Sequence, residues 1–218
     1  MGSFKNSSLA QAWLVILLSI VFSVSLAAVH IKLSPVIEIN KTKETMGKIP
    51  GLVTGEENSA NTNKTSPEFT IKERTIKTDK QGISKSYIVY DAFDNSGKVE
   101  GHVIKATGQG YGDKIELLLG LDPDGKKITG LYILDQKETP GLGAKVAEDA
   151  WRDQFIGKST DKPLVVVKGK PVSNNDIDAV SGATISSRSV TNIVNSAISD
   201  VKTKIALVPE SYKNMENK

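Results

Sequence analysis

Three regimes of hydrophobic patterning follow one another along the chain. From Ala12 to Ile31 the sequence is almost wholly apolar, AWLVILLSIVFSVSLAAVHI, with no Asp, Glu, Lys or Arg. A helical run of about 20 such residues matches the hydrocarbon thickness of a bilayer. Trp13 stands at one end, where an interfacial aromatic is expected. No polar face exists, which argues against a buried core helix. The competing reading is a cleaved signal peptide, with Ser25-Leu26-Ala27 as a loose cleavage site; the long apolar run and weakly basic start favour an uncleaved anchor.

From about Phe69 the period becomes two. Ser86 to Phe93 is β-branched and aromatic, Asp94-Asn95-Ser96-Gly97 is a turn, and Val99 to Thr107 is the return strand of a hairpin. Gly108 to Gly112 breaks the pattern. Lys114 to Leu121 and Lys127 to Leu134 are two further strands around the turn Asp122-Pro123-Asp124-Gly125, and Leu164 to Lys168 reads as one more buried strand. A period near 3.6 appears twice. Ala144 to Phe155 carries Val146, Ala147, Ala150, Trp151 and Phe155 on one side. After Thr184, Val190, Ile193, Val194, Ala197, Ile198 and Val201 form one helical face.

These patterns predict an α+β domain, an antiparallel sheet with packed helices, preceded by one N-terminal transmembrane helix. The expected divisions are a short tail (1–11), the anchor (12–34), a stem and linker (35–68), the folded domain (69–206) and a polar tail (207–218). Pro35 is expected to kink or end any helical continuation of the anchor. Residues 51–67 read as a linker or surface loop, and Asn63-Lys64-Thr65 is a chance match to a glycosylation sequon.

Composition narrows the chemistry. The 218 residues contain no Cys and two His, and the formal net charge is +3. Disulfides, thiolate-held iron–sulfur clusters, c-type haem and most zinc sites are excluded. The charge is too small to argue for nucleic acid. Ser181 is a poor hydrolase nucleophile, because His30 lies in the apolar span and only His102 is left as an imidazole base. An electron carrier in this chain must hold its cofactor without thiolates, and a flavin fits.

Two stretches carry chemistry. The first is Asp178-Ala179-Val180-Ser181-Gly182-Ala183-Thr184, which opens the second helical pattern. Ser181, Thr184, Ser186 and Ser187 are expected to cap free backbone N–H groups there. A helix N-terminus with small neighbours is also a place for a phosphate. The second is Glu138-Thr139-Pro140-Gly141-Leu142-Gly143. By itself it is a Pro-Gly turn before a helix, in which Gly141 and Gly143 would let backbone approach a planar ligand.

Together the two motifs resemble the FMN-binding domain family. The resemblance covers roughly residues 85–204 and is strongest to the G subunit of Rnf electron-transport complexes and the matching C subunit of sodium-pumping NADH:quinone reductases. It implies FMN held covalently through a phosphoester to Thr184, with Asp178, Ser181, Gly182 and Ala183 as recognition residues. It implies flavin contacts from Glu138, Thr139, Leu142 and Gly143, and it suits the segment Gly110-Tyr111-Gly112. It further implies a flavin transferase that installs the cofactor, other membrane subunits of an Rnf-type complex as partners, and an electron-relay role without catalysis by the chain alone. The FMN domain is expected on the extracytoplasmic side of the cell membrane, although Lys32, Lys41 and Lys43 after the span give the positive-inside rule a weak lean the other way. The alternatives are the C-type quinone-reductase subunit and a stand-alone anchored FMN-binding or sensory domain.

Overall fold

The computed structural model describes residues 8–55, 69–80 and 82–205. Helix α1 spans Ser8–Thr54. It is long and apolar enough to cross a membrane, with a window of mean hydropathy 2.6. Of the two effects expected of Pro35, a kink or an end, it does not end the helix, and the stem together with the first residues of the expected linker is helical to Thr54. Each Pro removes one N–H donor from the ladder. The helix nonetheless continues past both Pro35 and Pro50 to Thr54, and the hydroxyls of Ser34 and Thr54 donate to the carbonyls of His30 (2.8 Å) and Pro50 (3.1 Å) four residues back. The sequon, most of the linker and the polar tail lie outside the described residues.

The chain divides into two compact units, with the boundary between Glu44 and Thr45. The second unit is therefore larger than the 69–206 expected from sequence, because it includes the end of α1. Five strands form its main sheet: β1 (Thr70–Lys80), β2 (Ile83–Phe93), β3 (Val99–Gln109), β4 (Lys114–Leu121) and β5 (Ile128–Asp135). Their order is β1-β2-β3-β4-β5, antiparallel throughout. The two connecting turns named above share one device. Asp94 Oδ1 accepts the N–H groups of Ser96 and Lys98, and Asp122 Oδ1 accepts those of Lys126 and Lys127. Gly97 and Gly125 supply the positive φ that closes each turn.

Each face of the sheet is covered by a helix. Helix α3 (Thr184–Ile205) lies on one face. All six positions of its apolar stripe are buried, from Val190 to Val201. They pack with Val89, Ile104, Ile115, Leu117, Leu119 and Leu121. The other face takes the last turns of α1, where Ile49, Leu52 and Val53 pack with Tyr90, Ala92, Val103 and Leu118. Close approach there depends on glycine. A Cβ at Gly120 would lie 2.5 Å from the carbonyl oxygen of Leu52, and one at Gly130 would lie 2.8 Å from Leu52 Cδ2. The two glycines are direct partners across β4 and β5. The Thr129 hydroxyl donates to Leu52 O at 2.6 Å and satisfies one of the helix's last carbonyls.

Polar contacts tie α3 to the sheet edge. Arg74 donates to the carbonyls of Lys204 and Ile205 at the helix C-terminus. It also pairs with Asp91, which is fully buried and bonded to the equally buried His102 at 2.5 Å. Tyr87 donates to Asp200 at 2.8 Å, and Lys80 pairs with Asp200 at 2.7 Å.

Two other expectations change. Residues 144–155 are not one helix. They form a 3₁₀ turn (Gly143–Ala147), a single α turn α2 (Asp149–Arg152) and a second 3₁₀ turn (Asp153–Phe155). Glu148 is extended (φ −75°, ψ 140°) and interrupts the ladder. Val146, Trp151 and Phe155 are buried as expected, whereas Ala150 is exposed. The strand expected over 164–168 is β6 (Val165–Val167), which pairs in parallel with β7 (Asp176–Asp178) in a separate two-stranded sheet. Leu164 is buried but Val165 is 53% exposed, because β6 has no sheet on its outer side to cover it.

Candidate functional site

A cleft of about 940 Å³ opens where three distant segments meet. Its walls are Tyr111 from the β3–β4 connection, Thr139, Leu142 and Gly143 from the loop after β5, and Lys168, Gly169 and Asp178 through Ser186 around β6, β7 and the start of α3.

The third segment is held by its own backbone and by α2. Trp151 Nε1 donates to the carbonyl of Asp178 at 2.8 Å, and the Asp178 N–H donates to Gln154 Oε1 at 2.7 Å. Asp178 Oδ1 in turn accepts the N–H of Gly169 at 3.1 Å. The loop that presents Lys168 and Gly169 is closed by Asp176. Its carboxylate accepts the N–H groups of Ser173 and Val172, and these hold it below the usual carboxylate range. Between Val180 and Ala183 the chain makes a tight turn, with the Ala183 N–H bonded to Val180 O at 2.9 Å and Gly182 at φ +78°.

Ser187 buttresses that turn by accepting the Val180 N–H at 3.0 Å and donating to Ala183 O at 3.1 Å. The hydroxyls therefore do not cap the helix as expected. Ser187 serves the preceding turn, and Ser186 donates to Glu138 Oε2 at 2.5 Å. Thr184 is half-buried, and among the described residues its hydroxyl has no hydrogen-bond partner. The first ladder bond of α3 is Ser187 N–H to Ala183 O. The N–H groups of Thr184, Ile185 and Ser186 thus precede the ladder, and the helix dipole is positive there.

Eight of the nine residues singled out from sequence line this cleft: Thr139, Leu142, Gly143, Asp178, Ser181, Gly182, Ala183 and Thr184. Glu138 does not. It is 4% exposed and lies behind the wall. Its Oε1 accepts the N–H groups of Tyr111 (2.9 Å) and Gly112 (3.0 Å), while Oε2 takes Ser186. Sequence reasoning missed Lys168, Gly169 and Ile185, which no motif marks. It quoted Tyr111 only within a glycine-flanked segment, although an aromatic between two glycines at a break in strand pattern is a usable signal.

The geometry suits a planar anionic ligand. The volume falls in the range of small-molecule sites, about 300–1,000 Å³. Backbone comes unusually close at Gly143, where a Cβ would lie 2.7 Å from Ser186 Oγ, and at Gly182, where one would lie 3.1 Å from Leu142 Cδ2. Leu142, Ile185 and Tyr111 offer apolar surface, 46%, 56% and 65% exposed. No group of three or more His, Asp or Glu able to hold a metal occurs among the described residues.

The profile of the FMN-binding domain matches residues 110–199. The chain is 47% identical over 107 residues to the G subunit of the Na(+)-translocating ferredoxin:NAD(+) oxidoreductase complex of Acetobacterium woodii, covering 48% of this chain and 50% of that one. It is 44% identical over 112 residues to the G subunit of the proton-translocating ferredoxin:NAD(+) oxidoreductase complex of Clostridium ljungdahlii, covering 51% and 59%. It is 32% identical over 114 residues to the C subunit of the Na(+)-translocating NADH-quinone reductase of Yersinia pestis, covering 49% and 43%. The matches thus span about half the length of these relatives. Among solved structures, Shewanella oneidensis NqrC superposes with a TM-score of 0.50 at 26% identity, covering 64% of this chain and 69% of that one. The corresponding C subunit from Parabacteroides distasonis, at 23% identity, shares the fold with a TM-score of 0.53, covering 76% and 96%. Residues 110–199 are thus similar to the FMN-binding domain, and the chain's similarity runs to both the G subunits and the C subunits of ion-translocating oxidoreductases.

Proposed function

We propose that this chain is the membrane-anchored FMN-carrying relay subunit of an Rnf-type ion-translocating ferredoxin:NAD oxidoreductase, with FMN esterified to Thr184 through its phosphate. The observation that carries the reading is the Thr184 hydroxyl. Among the described residues it has no hydrogen-bond partner, and it stands on the cleft wall at the start of α3, beside N–H groups that precede the helical ladder and can meet an anion. Ser181, Gly182 and Ala183 keep the approach to it narrow and uncrowded. Asp178 fixes the loop opposite through Gly169. Thr139, Leu142 and Gly143 provide a wall for the isoalloxazine ring, with Leu142 as its apolar surface. FMN supplies one- and two-electron redox chemistry when bound. The chain holds it, shields part of it and prevents its loss. On this reading no nucleophile or general base is needed.

On this reading α1 anchors the chain in the cell membrane beside the other subunits of the complex, with the cleft on the extracytoplasmic side, and a separate flavin transferase makes the ester. Intact and peptide mass spectrometry on protein from its native host tests the assignment. The expected result is a mass increase of one FMN less one water on the peptide containing Thr184, absent in Thr184→Ala. Because that hydroxyl makes no hydrogen bond among the described residues, the variant should keep its stability to within about 0.5 kcal/mol. Covalent flavin persisting in Thr184→Ala, or an unmodified Thr184 in a host with an active transferase, would overturn it.

A further inference from the structure

We infer that Glu138 is a positioning residue: a buried carboxylate that locks the three cleft walls together from behind and whose charge lowers the reduction potential of the flavin. This rests on the FMN reading above. Glu138 belongs to the loop after β5, accepts two N–H groups from the β3–β4 connection, and accepts a hydroxyl from the first turn of α3. One side chain therefore joins all three walls. The surrounding backbone is built to admit it. A Cβ at Gly110 would collide with Glu138 Oε1, and one at Gly143 would lie 2.9 Å from both its Cβ and its Oε2. The Glu138 N–H is itself fixed by Gln136 Oε1 at 2.7 Å.

The three groups Glu138 bonds are neutral donors, and among the described residues no cation pairs with it. The nearest cation in sequence, Lys137, is engaged with Asp113 at 3.1 Å. The charge of Glu138 is thus held in place without being cancelled. At 4% exposure it is little screened by water. Tyr111, Gly143 and Ser186 stand between it and the cleft, so it is one residue removed from a ligand there. A fixed negative charge at that range disfavours adding electrons to the ring, which lowers the midpoint potential.

Two variants separate geometry from charge. In Glu138→Gln the side-chain carbonyl can still accept from Tyr111 and Gly112, and the amide can donate to Ser186. Shape is retained while charge is lost. Glu138→Ala removes both. The full-length protein is produced with the flavin transferase, and each form is read by mass, by redox titration of the flavin and by hydrogen exchange at the Tyr111 and Gly112 amides. Glu138→Gln should stay flavinylated, keep both amides protected and show a more positive midpoint potential. Glu138→Ala should speed exchange at both amides by about tenfold or more, the loss of one hydrogen bond to a charged group. A flavinylated Glu138→Gln with the wild-type potential refutes the electrostatic role. Wild-type exchange at Tyr111 and Gly112 in Glu138→Ala refutes the positioning role, and that readout does not require flavin. A wild-type protein without flavin refutes the FMN reading instead.

Discussion

Leu52→Ala should destabilise the folded domain although Leu52 lies in the stretch that the sequence reads as a linker or surface loop. Leu52 is fully buried. It sits on the path formed by Gly120 and Gly130, and its carbonyl is held by Thr129. Truncating a buried leucine costs about 2–5 kcal/mol, with the larger values where the site cannot collapse. Here the helix backbone already touches the sheet at Gly120, so it cannot move inward to fill the space, and we expect about 3–5 kcal/mol. Against a domain stability of about 5–15 kcal/mol, that is a large displacement of the unfolding midpoint. The assay is denaturant unfolding in detergent, read by Trp151. Trp151 is 7% exposed and becomes the sole reporter once Trp13 is replaced by Phe. Leu119→Ala, in the α3-facing core, serves as the positive control, and Leu33→Ala, 48% exposed, as the negative one. The same geometry ranks two glycines. Gly120→Ala meets a backbone carbonyl at 2.5 Å, whereas Gly130→Ala meets the movable end of a side chain at 2.8 Å, so the first should cost more. A Leu52→Ala effect below about 1 kcal/mol, with Leu119→Ala costing the normal 2–5 kcal/mol, would show that the end of α1 is not part of the core.

Asp91→Asn should cost about 3–5 kcal/mol in the same assay, because it leaves Arg74 and the fully buried His102 facing an amide, and a loss under about 1 kcal/mol would mean the cluster is relaxed or hydrated. Asp200 gives a pH dependence. Burial pushes its carboxyl up, but the hydrogen bonds from Lys80 and Tyr87, with the charges of Lys80 and Lys85, outweigh this and hold it below the ordinary carboxylate value. Its contribution is present above the unfolded carboxylate range near pH 4 and is lost as pH falls through the depressed folded value. Asp200→Asn should therefore flatten the acid limb of the stability curve in that window, and an unchanged acid limb would remove Asp200 from the account.

How much of this was legible beforehand depends on whether a feature is local. Strands β2 to β5 and α3 follow from period-two and period-3.6 patterns punctuated by Asp-x-x-Gly turns, and the structure has them near the expected limits, whereas β1 is foreshadowed only by the onset of the strand pattern near Phe69. The α+β class followed from the same patterns. What failed depends on partners distant in sequence. The end of α1 joins the core through glycines on β4 and β5, and a glycine inside a strand signals a close approach without saying what approaches. The parallel pairing of β6 with β7 is fixed by register across a loop and leaves no periodicity in three residues. The break at Glu148 is a single extended residue inside an otherwise helical spacing.

The cleft divides in the same way. The residues around Thr184 are contiguous, so one motif carries them. Glu138 was visible as a motif residue, but its place was not, because the N–H groups it accepts lie 26 and 27 residues upstream. Its burial accounts for a division of labour on the proposed reading. The wall is open, with Leu142 and Ile185 each about half exposed, and so little apolar surface closes over a ring that non-covalent affinity would be limited. A phosphoester at Thr184 removes the need for that affinity. The wall residues are then free to set access and potential, and a carboxylate can be kept close behind them even though it disfavours the reduced ligand. In a site that had to retain FMN by binding alone, the same charge would weaken the hold on its anionic and reduced forms.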